Sequence, residues 1–257
     1  MTDDLLIAAM AREIRDGDRV FAGANQNAVT LAAMLARRLW APTARLWASS
    51  TPHLDGSQDL LRVGRSTLDP VLVQGRDATF SQAHAFDDAL RAPVVFAGGL
   101  QVDARGNANL AGIRDDGGGW RLRGPGSAGL PSLTALAERF FIMVPAHEAR
   151  VLVERCSAIS VLGDPVAREA AGLKRDALVA VLTPLARFEP SDDGLVLTEL
   201  ASGLTVDDVQ ARTGFAVRAA STVGERAPLG GDEARVLAEL RAASERNSRR
   251  DGLRAVR

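Results

Sequence analysis

The sequence predicts an α/β fold with an open, mostly parallel sheet that helices cover on both faces. A short apolar strand at residues 19–22, a glycine turn and an apolar helix at residues 28–39 follow in the order of a βαβ unit. Further apolar runs alternate with helical segments along the chain, as in buried parallel sheets. No internal repeat and no linker interrupt this pattern, so we expect one domain over residues 1–257.

Apolar periodicity and turn residues give the remaining elements. A first helix is expected to stop before Asp16 and Gly17. Further strands are predicted at residues 45–48, 71–74, 93–97, 140–144, 159–162, 178–182 and 195–200. Further helices are predicted at residues 81–91, 133–138 and 205–212. The tail from Asp232 has an amphipathic helical pattern that ends in an arginine-rich stretch.

Composition and charge exclude several classes of protein. The chain has 257 residues, a net charge of -1, and no run near the ~20 apolar residues of a membrane span. The acidic amino terminus lacks the basic region of a signal peptide, so we expect a cytoplasmic protein with no membrane partner. Near-neutral charge gives no electrostatic case for nucleic acid, and with only 4% aromatic residues we expect no base-stacking platform in this chain alone.

Two glycine-rich segments are the candidate binding elements. The first begins at Gly98 and Gly99 after a predicted strand, where glycines let a ligand approach the carboxyl edge of a sheet. Residues 103–106 in this segment also fit a plain hairpin turn. The second precedes a predicted helix, where backbone amides can hold an anion or an oxyanion; its glycines are Gly124, Gly126 and Gly129. Neither segment matches a phosphate loop or a dinucleotide fingerprint.

Several segments together resemble the β subunits of the family I coenzyme A transferases, of the glutaconate transferase type. They occur in the same order along nearly the whole chain, at residues 98–109, 124–129, 159–163, 182–188 and 197–215. The resemblance implies an α-type partner subunit, an active site at the subunit interface and an acyl-CoA substrate. Coenzyme A would be part of the substrate, and no metal or other cofactor is implied.

The same resemblance assigns the candidate site residues. The thioester end of the pocket would be shaped by Gly98, Gly99, Gln101 and Asn109. The adjoining backbone loop would contain Gly124, Gly126 and Gly129. Asn25, in the first strand-to-helix turn, would border the site, although an ordinary helix cap explains it equally well.

The nucleophile position departs from the family pattern. Transferases of this family use a glutamate just after the second strand, whereas Ser50 occupies that place here and no acidic residue precedes Asp55. A serine without an adjacent base is a poor nucleophile, and His53 in its loop is more typical of a solvated histidine. Three interpretations remain open: a transferase that uses Asp55 or another acid, a hydrolase, carbon-carbon lyase or decarboxylase of an acyl-CoA, and a non-catalytic scaffold subunit.

The remaining reactive side chains favour structural roles. His84 fits a helix start, and His147 follows a strand from which it could approach the pocket. The three histidines have no metal-ligand spacing. Cys156, the only cysteine, lies in an apolar run and is expected to be a small buried residue of a reduced protein.

Overall fold

The structure is a computed structural model, and it describes residues 2–23, 26–48, 53–55, 78–79, 94–115, 117–127 and 129–254. Its helices are α1 (Thr2–Arg12), α2 (Asn27–Leu39), α3 (Leu130–Leu136), α4 (Pro165–Ala170), α5 (Val206–Gln210) and α6 (Gly231–Arg254). None of these helices is both long and apolar enough to span a membrane.

The strands of these residues are short and run from β1 to β15. The first five are β1 (Arg19–Ala22), β2 (Arg45–Ala48), β3 (His53–Asp55), β4 (Ala78–Thr79) and β5 (Val94–Gly98). The next five are β6 (Gln101–Asp103), β7 (Ala108–Asn109), β8 (Gly112–Arg114), β9 (Trp120–Arg123) and β10 (Arg139–Met143). The last five are β11 (Leu152–Val153), β12 (Leu178–Leu182), β13 (Ala186–Ser191), β14 (Gly194–Ala201) and β15 (Arg218–Arg226).

The chain divides into two compact units, and the first contains residues 1–94 and 229–257. Strands β1 and β2 pair in parallel, and β2, β3 and β4 pair antiparallel in that order. Helices α1 and α6 both contact α2, whose apolar face is buried. Arg12 of α1 donates two hydrogen bonds to the Glu233 carboxylate at 2.8 and 2.6 Å, which joins the first and last helices.

The second unit contains residues 95–228 and carries the candidate site. Its sheet is mixed: β10–β12 and β14–β15 pair in parallel, whereas β12, β13 and β14 pair antiparallel. A smaller sheet has the order β11-β6-β7, and β8 pairs with β9 as a hairpin. The core of this unit is mostly aliphatic and includes a stacked pair of rings, Phe96 and Phe141, with centroids 5.1 Å apart.

The prediction of an α/β fold with a mostly parallel sheet is confirmed, with antiparallel strands added to it. Strands β1, β2 and β12 match their predicted bounds, and β5, β10 and β14 differ by a residue or so at their ends. Strands β13 and β15 and helix α4 were not predicted. The predicted strand 71–74 and helix 81–91 lie outside the described residues, and the single domain stays a prediction.

The predicted strand at residues 159–162 is wrong. Only Val161 pairs, in an isolated bridge with Ala108, because the amides of Ser160 and Val161 both donate to the one carbonyl of Ala108. At Gly163 the backbone passes so close to Gly106 that a Cβ would lie 1.7 Å from the Gly106 carbonyl oxygen. Ile159, which completed the apolar pattern, is 56% exposed.

Candidate functional site

The first predicted glycine segment forms a tight turn between β5, β6 and β7. Gln101 of β6 pairs with Asn109 of β7, and the Leu100 amide donates to the Asn109 carbonyl at 2.7 Å. The connection between the two strands is the hairpin turn that residues 103–106 indicate: Gly106 has a φ of +82° and its amide donates to the Asp103 carbonyl at 2.9 Å. The turn therefore fixes the register that places the two amide side chains side by side.

Asn109 is fully buried and uses all of its hydrogen-bonding capacity within the chain. Its Nδ2 donates to Gln101 Oε1 at 2.8 Å and to the Gly112 carbonyl at 2.7 Å. Its Oδ1 accepts from the amides of Ala111 at 3.0 Å and Gly112 at 3.3 Å. An amide with two donors and one oxygen has nothing left for a ligand after these four bonds. Asn109 therefore holds the turn and Gln101 in place.

Gln101 is only 7% exposed, but its amide nitrogen remains available. Its Oε1 accepts from Asn109 Nδ2, from the Ser157 amide at 3.1 Å and from Ser157 Oγ at 2.9 Å. Three donors around one atom identify that atom as the oxygen and fix the orientation of the amide. Within the described part of the chain, Nε2 has no hydrogen-bond partner. The site thus presents one oriented N–H donor group.

The two glycines before Gln101 are not equivalent. A Cβ on Gly99 would lie 2.9 Å from the Gln101 carbonyl oxygen and 3.2 Å from the Ala108 Cβ, so the turn needs glycine there. A Cβ on Gly98 would meet only the flexible end of Met143, at 3.6 Å. Gly99 is therefore required by the packing of the turn, whereas Gly98 is not.

The structure brings the second glycine segment against the first. The Gly124 amide donates to the Ala111 carbonyl at 3.0 Å, and the Gly126 amide donates to the Leu110 carbonyl at 3.3 Å. A Cβ on Gly124 would lie 2.3 Å from the Leu110 carbonyl oxygen, and Gly126 has a φ of +92°. The two segments that the sequence predicts to form one site therefore share backbone hydrogen bonds.

Two serines that the sequence analysis missed support this arrangement. Ser157 holds the Gln101 oxygen, and Ser160 Oγ accepts from the Leu110 amide at 2.9 Å. Ser160 Oγ also lies 2.7 Å from Ser127 Oγ, just before Gly129, the N-cap of α3. The only local signal was for Ser160, which lies among the apolar residues of the predicted strand at 159–162, whereas Ser157 lies before that segment.

His147 lies in a separate, closed cluster. Its Nδ1 is 2.9 Å from Thr183 Oγ1, and its Nε2 is 3.0 Å from Thr213 Oγ1. Thr213 donates its own hydroxyl to the Val209 carbonyl at 2.8 Å, so Nε2 carries the hydrogen. The one hydroxyl hydrogen of Thr183 is shared between Nδ1 and the Ala186 carbonyl, which lies 3.1 Å from Oγ1. Burial, and then the charge of Arg212, lower the pKa of His147 to about 4. The ring is therefore neutral and structural.

Cys156 is buried, as the sequence predicts. Its Sγ lies 3.5 Å from the Asn107 carbonyl oxygen, and burial together with the nearby Asp103 charge raises the pKa of the thiol. A neutral, inaccessible thiol is inert. Among the described residues, no three of His, Cys, Asp and Glu are grouped in a way that could hold a metal ion.

Ser50 and Asn25 lie outside the described residues, so their assigned roles stay predictions, as do those of the glycines. His84 also lies outside them, and His53 belongs to β3, where it pairs with Ala48. Strand β2 ends at Ala48, which leaves the predicted nucleophile position just beyond its carboxyl end in the sequence.

Comparison with known proteins identifies proteins that this chain resembles. No family model matches the sequence. The B-type subunit of a 3-oxoadipate CoA-transferase from Pseudomonas knackmussii is 29% identical over 234 residues, which cover 88% of this chain and 87% of that protein.

Solved structures agree with this match. A variant of the decarboxylase AibA/AibB is 25% identical with a TM-score of 0.79, covering 92% of this chain and 93% of that chain. Two structures below 25% identity support the fold. Glutaconate coenzyme A-transferase from Acidaminococcus fermentans has a TM-score of 0.81 at 21% identity, covering 93% of this chain and 94% of that chain. IpdAB from Rhodococcus jostii has a TM-score of 0.75 at 19% identity, covering 93% of both chains. The chain is thus similar to the B-type subunit of a CoA-transferase, and it shares the fold of glutaconate coenzyme A-transferase.

Proposed function

We propose that this chain acts with an α-type subunit on an acyl-CoA thioester, by hydrolysis, carbon-carbon cleavage or decarboxylation and not by transfer through a glutamyl intermediate. The observation that carries the proposal is the oriented amide of Gln101, whose nitrogen has no partner within the described residues. Coenzyme A is part of the substrate in this proposal, and no further cofactor is needed. The predicted cytoplasmic location is part of the same proposal.

The Gln101 amide suits the polarisation of a thioester carbonyl. Each of these reactions increases negative charge on that oxygen, so a donor that is already aligned stabilises the transition state more than the ground state. The three hydrogen bonds to Oε1 keep the amide from rotating, and burial reduces competition from water. The acid or base of the reaction comes from the α-type subunit in this proposal.

The sequence after β2 favours chemistry without a glutamyl nucleophile. Ser50 stands where the family's transferases have glutamate, and the nearest following acid is Asp55. Similarity to the decarboxylase AibA/AibB supports the same direction. The similarity to a 3-oxoadipate CoA-transferase favours the second candidate, a true transferase in which Asp55 or another acid forms the acyl anhydride and then the CoA thioester.

The test uses the full-length chain purified with its α-type subunit and a panel of acyl-CoA thioesters, with no acceptor acid. We expect release of coenzyme A, release of carbon dioxide or a cleaved acyl-CoA product, with no covalent adduct in residues 49–55 by intact-mass and peptide mass spectrometry. Substitution Gln101→Met should lower kcat by about 100-fold, the effect of removing one oxyanion donor. The matched control is Gln210→Met, because the Gln210 side chain bonds to the backbone of Phe215 and Val217.

Two results would contradict the proposal. A CoA-dependent adduct on Asp55 or Ser50 would establish covalent transfer. Equal turnover by Gln101→Met and the wild type would show that the amide does not contact the reacting carbonyl.

A further inference from the structure

The β8–β9 hairpin, residues 112–115 and 117–123, is a largely exposed element beside the second glycine segment. All four residues of β9 are exposed. Its turn is fixed by Asp115, whose Oδ1 accepts from the amides of Gly117 at 3.0 Å and Gly119 at 2.8 Å. Arg114 Nη1 donates to the Gly118 carbonyl at 2.7 Å. A turn with these bonds holds the side chains of the hairpin in defined positions.

The hairpin presents an indole with a guanidinium over it. The Cζ of Arg114 lies 4.2 Å from the centroid of the Trp120 ring, and Trp120 remains 40% exposed. The ring occupies the space that a side chain on Gly112 would need, because a Cβ there would lie 2.8 Å from two ring carbons. Gly112 also has a φ of +147°, which other residues rarely adopt. The backbone is therefore shaped to accept the tryptophan.

The arginines of the hairpin lack anionic partners within the described residues. Arg114, Arg121 and Arg123 form no ion pair there, and the carboxylate of Asp115 is engaged by the turn. Three other exposed arginines of the same unit do form ion pairs: Arg150 with Glu148, Arg175 with Glu169 and Arg218 with Asp193. Three cations without carboxylates, one of them stacked on the indole of Trp120, suit a phosphorylated planar base.

The position of the hairpin relates it to the proposed substrate. Strand β9 leads directly into Gly124, so Trp120 lies four residues, or about 13 Å along an extended strand, from the glycine segment. Coenzyme A carries its adenine and phosphates at the end of the molecule remote from the thioester. We infer that the β8–β9 hairpin binds the phosphoadenosine end of coenzyme A, with Arg114 and Trp120 against the base and Arg121 and Arg123 on the phosphates.

This inference rests on the proposed function. The low aromatic content predicts no base-stacking platform, whereas in this inference the pair of Trp120 and Arg114 is enough for one base. Base stacking on an aromatic side chain contributes enough free energy that its removal weakens binding about tenfold. Contacts to phosphate also make the affinity fall with salt concentration.

The test measures affinity for coenzyme A by calorimetry, with the full-length chain purified together with its α-type subunit. The ligands are coenzyme A, dephospho-coenzyme A and an acyl-pantetheine thioester, which lacks the nucleotide. We expect Trp120→Leu and Arg114→Gln each to weaken coenzyme A binding about tenfold. The double substitution of Arg121→Gln with Arg123→Gln should lower the affinity for coenzyme A and make that affinity less dependent on salt concentration.

None of these hairpin substitutions should change the affinity for acyl-pantetheine. The control is Arg150→Gln with Arg175→Gln.

Three outcomes would overturn the inference. Unchanged affinity for coenzyme A in the hairpin variants would exclude the hairpin from the nucleotide site while leaving the proposed function intact. Loss of co-purification with the α-type subunit would make the hairpin a subunit contact. If the wild-type complex binds neither coenzyme A nor acyl-pantetheine, the proposed function itself fails.

Discussion

Two buried polar clusters of the second unit differ in one respect. In the histidine cluster (His147, Thr183 and Thr213), both ring nitrogens have a hydroxyl partner. In the amide cluster (Gln101, Asn109 and Ser157), every polar atom of Asn109 is engaged, but the nitrogen of Gln101 is available within the described part of the chain. The first cluster is closed, and the second keeps one donor for another molecule.

The difference separates stability from binding. A closed polar cluster joins distant segments and specifies one packing arrangement. An open one costs stability unless water or a ligand satisfies the remaining group. Asn109 and Ser157 hold Gln101 on the oxygen side only, so the chain orients the amide without consuming its donors. This is the arrangement expected of a preorganised site.

The largest effect is expected from removing the centre of the amide cluster. Asn109→Ala deletes four buried hydrogen bonds and leaves the peptide groups of Ala111 and Gly112 without their partners. We expect a loss of about 4 kcal/mol in the free energy of unfolding, measured by urea denaturation. Gln210→Ala, at an exposed site, should cost about 1 kcal/mol. Equal losses would show that Asn109 is not the structural centre of the cluster.

The next effect concerns the histidine cluster and pH. The pKa of His147 is about 4 in the folded chain, below its ordinary value of 6.5, so the unfolded chain binds the additional proton between these values. The neutral His147 ring therefore contributes its full stabilisation above pH 6.5. As the pH falls to 4, the free energy of unfolding should decrease by about 3 kcal/mol in total.

Titration of the imidazole by NMR provides the measurement. The chain has three histidines, so assignment is simple, and Thr213→Val removes the acceptor for Nε2 as a comparison. A ring that titrates near pH 6.5 would show that the cluster is open to water, and the contrast between the two clusters would be lost.

The smallest effect is expected at Ser157. Ser157→Ala removes the hydroxyl donor at 2.9 Å from Gln101 Oε1 but keeps the backbone donor. The free energy of unfolding should fall by about 1 kcal/mol by urea denaturation. A loss as large as that of Asn109→Ala would place the structural centre of the cluster at Ser157.

The sequence predicted those elements whose apolar pattern reflects burial. Strands β1, β5 and β12 are continuous apolar runs in the core, so pattern and structure coincide. Strand β15 was missed because it is largely exposed and has no apolar period. Residues 159–162 have an apolar pattern but do not form a strand, because the amides of Ser160 and Val161 both donate to the one carbonyl of Ala108.

The candidate site was predicted in part. Amide side chains near a glycine pair drew attention to Gln101 and Asn109, and the structure places them in contact. It also shows that Asn109 faces inward, which follows from bonds to Gly112 and Ala111 that no spacing rule indicates. Ser157 could not be predicted, because it lies 56 residues from Gln101 in the sequence.

The second unit is one continuous segment, whereas the first is assembled from both ends of the chain. During synthesis, residues 95–228 are therefore all available before α6 leaves the ribosome, although α1 and α2 are made first. Helix α2 must wait for its contact with α6, and Arg12 must wait for Glu233. The part of the protein made earliest is thus completed last, and a nascent chain that stops before residue 229 carries the amide cluster without the helix that finishes the first unit.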